Sequence, residues 1–231
     1  MTTTDRVRRA VVHQFHNPAG PGGHLVGWIM SHRNSNVVRN RWAVGLFDVE
    51  VDDRVLELGC GPGVAVAELA RRATQGVVVG VDHSSVMISQ ARRRNAAAVA
   101  SGRVRLLHTS IEDLLPIFDA ERGRPEPAPA FDLPFDVVLA VNNVGFWPEP
   151  KLRLVEIRRV LRPAGRIALV SQPRCRGASV TTSRSAEIEL ADLLQHAGFT
   201  GLESSMLDLD PPVVCVQASN PDTVSVPRPT P

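Results

Sequence analysis

The chain has 231 residues, enough for one domain with a full core, and its hydrophobic content of 43% is ordinary. Its 26 Lys+Arg and 24 Asp+Glu leave a net charge of +2, which gives no electrostatic case for nucleic acid or an anionic lipid surface. Tyrosine is absent, and the three cysteines (Cys60, Cys175 and Cys215) form no Cys-x-x-Cys pair, so neither a disulfide framework nor a metal site is expected. The start, Met-Thr-Thr-Thr-Asp-Arg, lacks a long apolar run and no segment approaches a membrane span, so a cytoplasmic protein is expected.

Residues 1–50 read as an N-terminal helical cap. A loop over 13–24 holds His13, His16 and Gly-Pro-Gly-Gly; short helices follow over 24–32 and 34–47. The run 54–58 is a buried strand, and it leads through Gly59, Cys60, Gly61, Pro62 and Gly63 into a helix over 62–73. A second buried strand over 77–82 ends on Asp82. Such a strand–helix–strand unit is a right-handed parallel crossover, and a ligand crevice lies at the carboxyl ends of its strands. The glycines let the backbone turn sharply and approach a ligand closely. A helix over 84–100 follows, with Ser84 or Ser85 as its cap. Strands are predicted over 103–108 and 135–141, separated by a proline-rich excursion over 119–134. A helix over 150–161, a turn and strand over 163–171, and a helix over 184–197 stopped by Gly198 come next. Two strands near 200–207 and 212–218 close the domain at about residue 219, and 220–231 reads as a disordered tail.

Asp82 beside the glycine turn suits the two hydroxyls of a ribose. A dinucleotide fingerprint would need a third glycine where Val64 stands, and Pro62 also weakens that reading, although a nicotinamide oxidoreductase remains an alternative. Glu57, two residues before the first glycine, suits a cofactor with a cationic amine.

These residues, Glu57-Leu58-Gly59-Cys60-Gly61-Pro62-Gly63 with Asp82 and the later Leu161-Arg162-Pro163-Ala164-Gly165-Arg166, resemble the class I S-adenosylmethionine-dependent methyltransferases, over roughly 52–172. The resemblance implies a Rossmann-like α/β sandwich of three layers, with a seven-stranded, mostly parallel sheet whose last strand is antiparallel. It implies S-adenosyl-L-methionine as cofactor. It implies that Glu57, Gly59, Cys60, Gly61 and Gly63 wrap the methionine and ribose, that Asp82 holds the ribose hydroxyls, and that His83, Met87, Ser110 and Ile111 border the adenine. Relatives often carry an acid where Ser110 stands, so Glu112 or Asp113 is an alternative there.

Val141, Asn142 and Asn143 end the fourth strand and are expected near the reacting methyl group. The general pattern is similar to the quinone-biosynthesis and related small-molecule methyltransferases. Leu25, Trp28, Ile29 and Met30 in the cap suggest a hydrophobic acceptor, with Trp28, His32, Phe146 and Trp147 as candidate acceptor contacts. Phe146 and Trp147 read equally as packing for the next helix. Among His13, His16, His24 and His32 one could deprotonate an acceptor, although each also reads as a surface residue. Arg33 could reach the cofactor carboxylate or be a solvated arginine. Methyl transfer from a sulfonium needs alignment and exclusion of water more than acid–base groups, and the sequence nominates no catalytic residue. A macromolecular acceptor, or a protein that binds the nucleoside without turnover, remains open.

Overall fold

In the computed structural model the described residues are 34–122 and 134–221. The elements are α1 (Asn34–Gly45), β1 (Arg54–Leu58), α2 (Val64–Arg72), β2 (Val77–Asp82), α3 (Ser85–Arg94), α4 (Ala96–Ala100), β3 (Val104–His108), α5 (Ile111–Arg122), β4 (Phe135–Val141), α6 (Pro150–Val160), β5 (Leu161–Ser171), α7 (Val180–His196), β6 (Thr200–Leu207) and β7 (Val213–Ser219). The seven strands form one sheet in the order β3-β2-β1-β4-β5-β7-β6. β1 pairs in parallel with β2 and β4, β2 with β3 and β4 with β5, while β7 is antiparallel to both β5 and β6. The order reverses between β1 and β4, the switch point at which a crevice opens beyond the strand ends.

Alternation of side chains along the strands separates two apolar layers. Leu56, Leu58, Val79, Val81, Val138, Ile167 and Leu169 pack under Leu114 and Phe118 of α5, Leu154 and Ile157 of α6, and Leu194 of α7. Val55, Val78, Val137, Leu139, Ala168 and Val170 pack under Val44 of α1, Val66 and Leu69 of α2, and Ala91 of α3. The central strands are buried on both faces, which is why they read as continuous apolar runs. Among the described residues no helix is long and apolar enough to cross a membrane.

Several boundaries differ from the sequence reading. The first described helix ends at Gly45, and α2 begins at Val64 because Gly63 turns left-handed (φ +76°) ahead of it. The predicted helix over 84–100 is two helices that meet at Asn95. α5 was absent from the sequence reading. Ser110 Oγ accepts the Asp113 N–H at 3.2 Å and donates to its carboxylate at 2.8 Å, a cap that starts the helix, and Pro116 sits inside it. The first part of the supposed proline-rich excursion is therefore helical, while 123–133 lie outside the described residues. α7 starts at Val180, one turn before Arg184, where Ser179 and Thr182 form a reciprocal cap. Asn220, assigned to the tail, is built into the domain. It is buried, its N–H donates to Gly165 O at 2.8 Å, and its Nδ2 donates to Leu161 O at 3.0 Å. The remaining tail from 222 and the cap residues 1–33, with Trp28, His32, Arg33 and the other cap histidines, lie outside the described residues.

Candidate functional site

The carboxyl ends of β1 and β2 are locked together by the turn between β1 and α2. Cys60 N–H donates to Val81 O at 2.8 Å, and Gly61 N–H donates to Asp82 Oδ2 at 2.8 Å. Asp82 Oδ1 accepts the Ser84 N–H, also at 2.8 Å. Ser84 in turn caps α3, its Oγ accepting the Met87 N–H at 3.4 Å. One carboxylate thus ties the glycine turn to the start of the next helix.

The three glycines of the turn serve different ends. A Cβ on Gly59 would collide with the Asn143 side chain, and one on Gly63 would come within 2.9 Å of Ala91 in α3. A Cβ on Gly61 would meet nothing within 4 Å, so its bare face looks onto open space. Gly61 also has a φ of +52°, a left-handed conformation that glycine takes without steric cost.

Beneath this turn lies Glu57, 2% exposed, on the strand face packed against α1, α2 and α3. The Val66 N–H donates to its carboxylate, but Oε2 has no hydrogen-bond partner. Desolvation, and secondarily the charge of Asp82, hold its pKa well above the usual carboxylate range. Burial also raises Asp82, opposed by the Ser84 and Gly61 N–H groups. The Cys60 thiol is pushed far up by burial, then by the charges of Glu57 and Asp82, and is a packed, unreactive group. The site therefore holds two neighbouring carboxyl groups, with one buried oxygen of Glu57 unmatched and its ionised form disfavoured by burial.

The other nominated residues divide by position. Met87 is buried in the first turn of α3. His83 is half exposed beside Asp82, with Nδ1 3.8 Å from Oδ1, and its carbonyl contacts His108 Nε2 at 3.0 Å. The Ser110 hydroxyl is engaged in capping α5, and Ile111 packs against the adjoining core. Val141 is half buried against the other layer. Asn142 adopts φ +60° directly after β4, its N–H donating to Val170 O and its Oδ1 accepting the Gln172 N–H, both at 2.7 Å. Phe146 is exposed, whereas Trp147 packs against the core beneath α6.

Three residues brace the turn in a role that the sequence did not signal. Asn143 Nδ2 donates back to Leu58 O and, at 3.4 Å, to Gly59 O, so this side chain holds the turn. Asn95 Nδ2 donates to Gly63 O at 3.2 Å, and Arg94 Nε donates to Pro62 O at 3.0 Å. The Leu161–Gly165 stretch, which helped the resemblance, lies at the opposite end of the sheet, in the irregular first part of β5.

Residues 55–165 match the family model described as a methyltransferase domain. The chain is 29% identical over 200 residues to the uncharacterized methyltransferase YdaC of Bacillus subtilis (strain 168), which covers 86% of this chain and 99% of that protein. It is 32% identical over 133 residues to the fatty-acid O-methyltransferase of Mycolicibacterium smegmatis (strain ATCC 700084 / mc(2)155), across 54% of this chain and 42% of that enzyme. Among solved structures it resembles magnesium protoporphyrin IX methyltransferase from Synechocystis PCC 6803 with bound SAH, at TM-score 0.54 and 18% identity, covering 84% of this chain and 83% of the other. Residues 55–165 thus form a methyltransferase domain, and the glycine turn, the acid ending β2 and the seven-stranded sheet fit an S-adenosylmethionine-dependent methyltransferase.

Proposed function

We propose that this enzyme methylates a small, largely hydrophobic molecule held beyond the carboxyl ends of β4 and β5. The observation that carries the binding mode is the orphaned, buried Oε2 of Glu57 beneath a glycine turn whose open face is Gly61. In this reading Glu57 takes the cofactor's ammonium, the Gly59–Gly63 turn wraps its methionine and ribose, Asp82 accepts from the ribose hydroxyls, and His83, Met87, Ser110 and Ile111 border the adenine. A carboxylate oxygen can accept more than one hydrogen bond, so Asp82 can serve the turn and the ribose together.

S-adenosylmethionine supplies a methyl group already activated on a cationic leaving group. The protein's part is to align, to bury and to exclude water. Val141 and Asn142 end the strand beside the turn and line the path to the acceptor. Asn142 is fixed by two hydrogen bonds to the end of β5 and its following residue, which gives the crevice a rigid wall there. The small-molecule reading is supported by the printed activity of the fatty-acid O-methyltransferase relative and by the near-neutral charge balance. The test is mass detection of one added CH₂ on candidate acceptors incubated with the enzyme and S-adenosylmethionine. Methylation of small hydrophobic acceptors is expected; methylation confined to protein or RNA would overturn the reading.

A further inference from the structure

A buried polar cluster sits at the carboxyl ends of β4 and β5, and the roles above leave its charged member unused. Arg39 of α1 is 5% exposed. Its Nη1 donates to Gln172 Oε1 at 3.0 Å and its Nη2 to Asn36 Oδ1, while Nε has no partner. Three of its five N–H groups are left over. Gln172, 1% exposed, is held in turn by Pro211 O, which accepts from Nε2 at 2.8 Å, and by Asn142 Oδ1, which accepts from its backbone N–H. Arg174 Nη2 donates to the same Gln172 Oε1 at 2.5 Å, and Arg174 lies at the surface.

Two guanidinium groups thus converge on one neutral amide oxygen. Among the described residues no carboxylate pairs with Arg39. Desolvation and the neighbouring Arg174 lower its pKa to about 10. A buried cation without a counter-ion is costly, and folds keep such groups where a ligand completes them. The guanidinium fork matches a carboxylate in shape as well as charge.

The position favours the acceptor over the cofactor as the source of that carboxylate. Gln172 follows β5, which lies two strand spacings, about 10 Å, from β1 and the Glu57 carboxylate. The amine and carboxylate of an amino acid are separated by a single carbon, so a cofactor amine at Glu57 keeps its own carboxylate near β1.

We propose that Arg39 is the anion-binding residue of the acceptor pocket, and that the acceptor is an organic acid whose carboxylate pairs with the unused edge of its guanidinium. This rests on the methyltransferase reading and narrows its substrate class.

The test measures thermal melting of the full chain saturated with S-adenosylhomocysteine, with octanoate, benzoate and phenylacetate each set against its neutral amide. At least one acid raises the melting temperature where its amide does not. Arg39→Met lowers the affinity for that acid about tenfold or more, and Arg39→Lys, which keeps the charge without the fork, falls between. S-adenosylhomocysteine affinity of Arg39→Met, read by calorimetry, stays within about twofold of wild type. If Arg39→Met does not fold, Arg39→Lys carries the comparison, and acid binding equal to wild type overturns the proposal. It is also overturned if no acid outperforms its amide, if the response survives in Arg39→Met, or if that variant loses S-adenosylhomocysteine affinity about tenfold, which would place the cofactor's carboxylate at Arg39. Failure of the wild type to bind S-adenosylhomocysteine would instead sink the methyltransferase reading itself.

Discussion

The Gly61 N–H donates to Asp82 Oδ2 at 2.8 Å, joining the end of β1 to the end of β2. Asp82 therefore orders the turn before any ligand arrives, and its loss acts on stability and binding together. Asp82→Ala removes both accepted N–H bonds and is expected to destabilise the free protein by about 1–3 kcal/mol. Asp82→Asn keeps one oxygen acceptor and should lose less stability, yet it should still weaken cofactor binding about tenfold. Urea unfolding and calorimetry on both variants check this; an Asp82→Ala protein as stable as wild type would contradict the bracing role.

Glu57 makes a prediction about pH. Burial raises its pKa in the folded chain above the ordinary 4.5, so the folded state holds its proton more tightly than the unfolded state does. Its contribution to stability is fully present below pH 4.5 and is lost as pH rises toward the elevated value. Glu57→Gln removes this loss. The variant's melting temperature relative to wild type should therefore climb as pH rises above 4.5, while its cofactor affinity falls by about tenfold or more. Paired melts across pH, without and with S-adenosylhomocysteine, read both effects. A difference that shrinks with rising pH would oppose the assignment.

Asn142 and Asn143 are adjacent but do separate work. Asn142→Ala leaves the Gln172 N–H without its side-chain acceptor and places alanine at φ +60°, so a loss of about 1–3 kcal/mol is expected. Asn143→Ala frees the Leu58 and Gly59 carbonyls and loosens the turn. Its effect should be a raised KM for S-adenosylmethionine with a smaller change in stability. Chemical denaturation and steady-state kinetics separate the two; equal effects on KM would contradict the division.

Ala164 offers a check on the fold away from the site. It sits at φ +57° in the irregular first part of β5, with its N–H donating to Asn220 O at 2.9 Å. Ala164→Gly relieves the left-handed strain, offset by the greater freedom of glycine in the unfolded chain. A net gain of about 0.5 kcal/mol in unfolding free energy is expected, with cofactor binding unchanged.

The sheet was legible in the sequence because its central strands are buried on both faces and read as apolar runs ending in glycine or acid. Glu57, the glycines and Asp82 were legible because they lie within one strand–helix–strand unit. α5 was obscured by Pro116 and by polar residues at its start that resemble ligand contacts, although Ile111, Leu114, Leu115 and Phe118 keep helical spacing. The Arg39–Gln172 bond spans 133 residues and the Asn143–Leu58 bond 85 residues, and no local pattern encodes either. Asn143 was placed near the methyl group from its position in the chain, but its side chain turns back to brace the glycine turn.

The central claim is that the bare backbone of Gly61, over Glu57 and beside Asp82, receives the cofactor. Titration calorimetry of S-adenosylhomocysteine into wild type and Gly61→Ala tests it most directly, since the added methyl would meet no protein atom, while the strain that alanine carries at φ +52° is read separately by urea unfolding. Saturable one-to-one binding in wild type that falls by about tenfold or more in a folded Gly61→Ala protein is the outcome predicted. Equal affinity in the two proteins would contradict it.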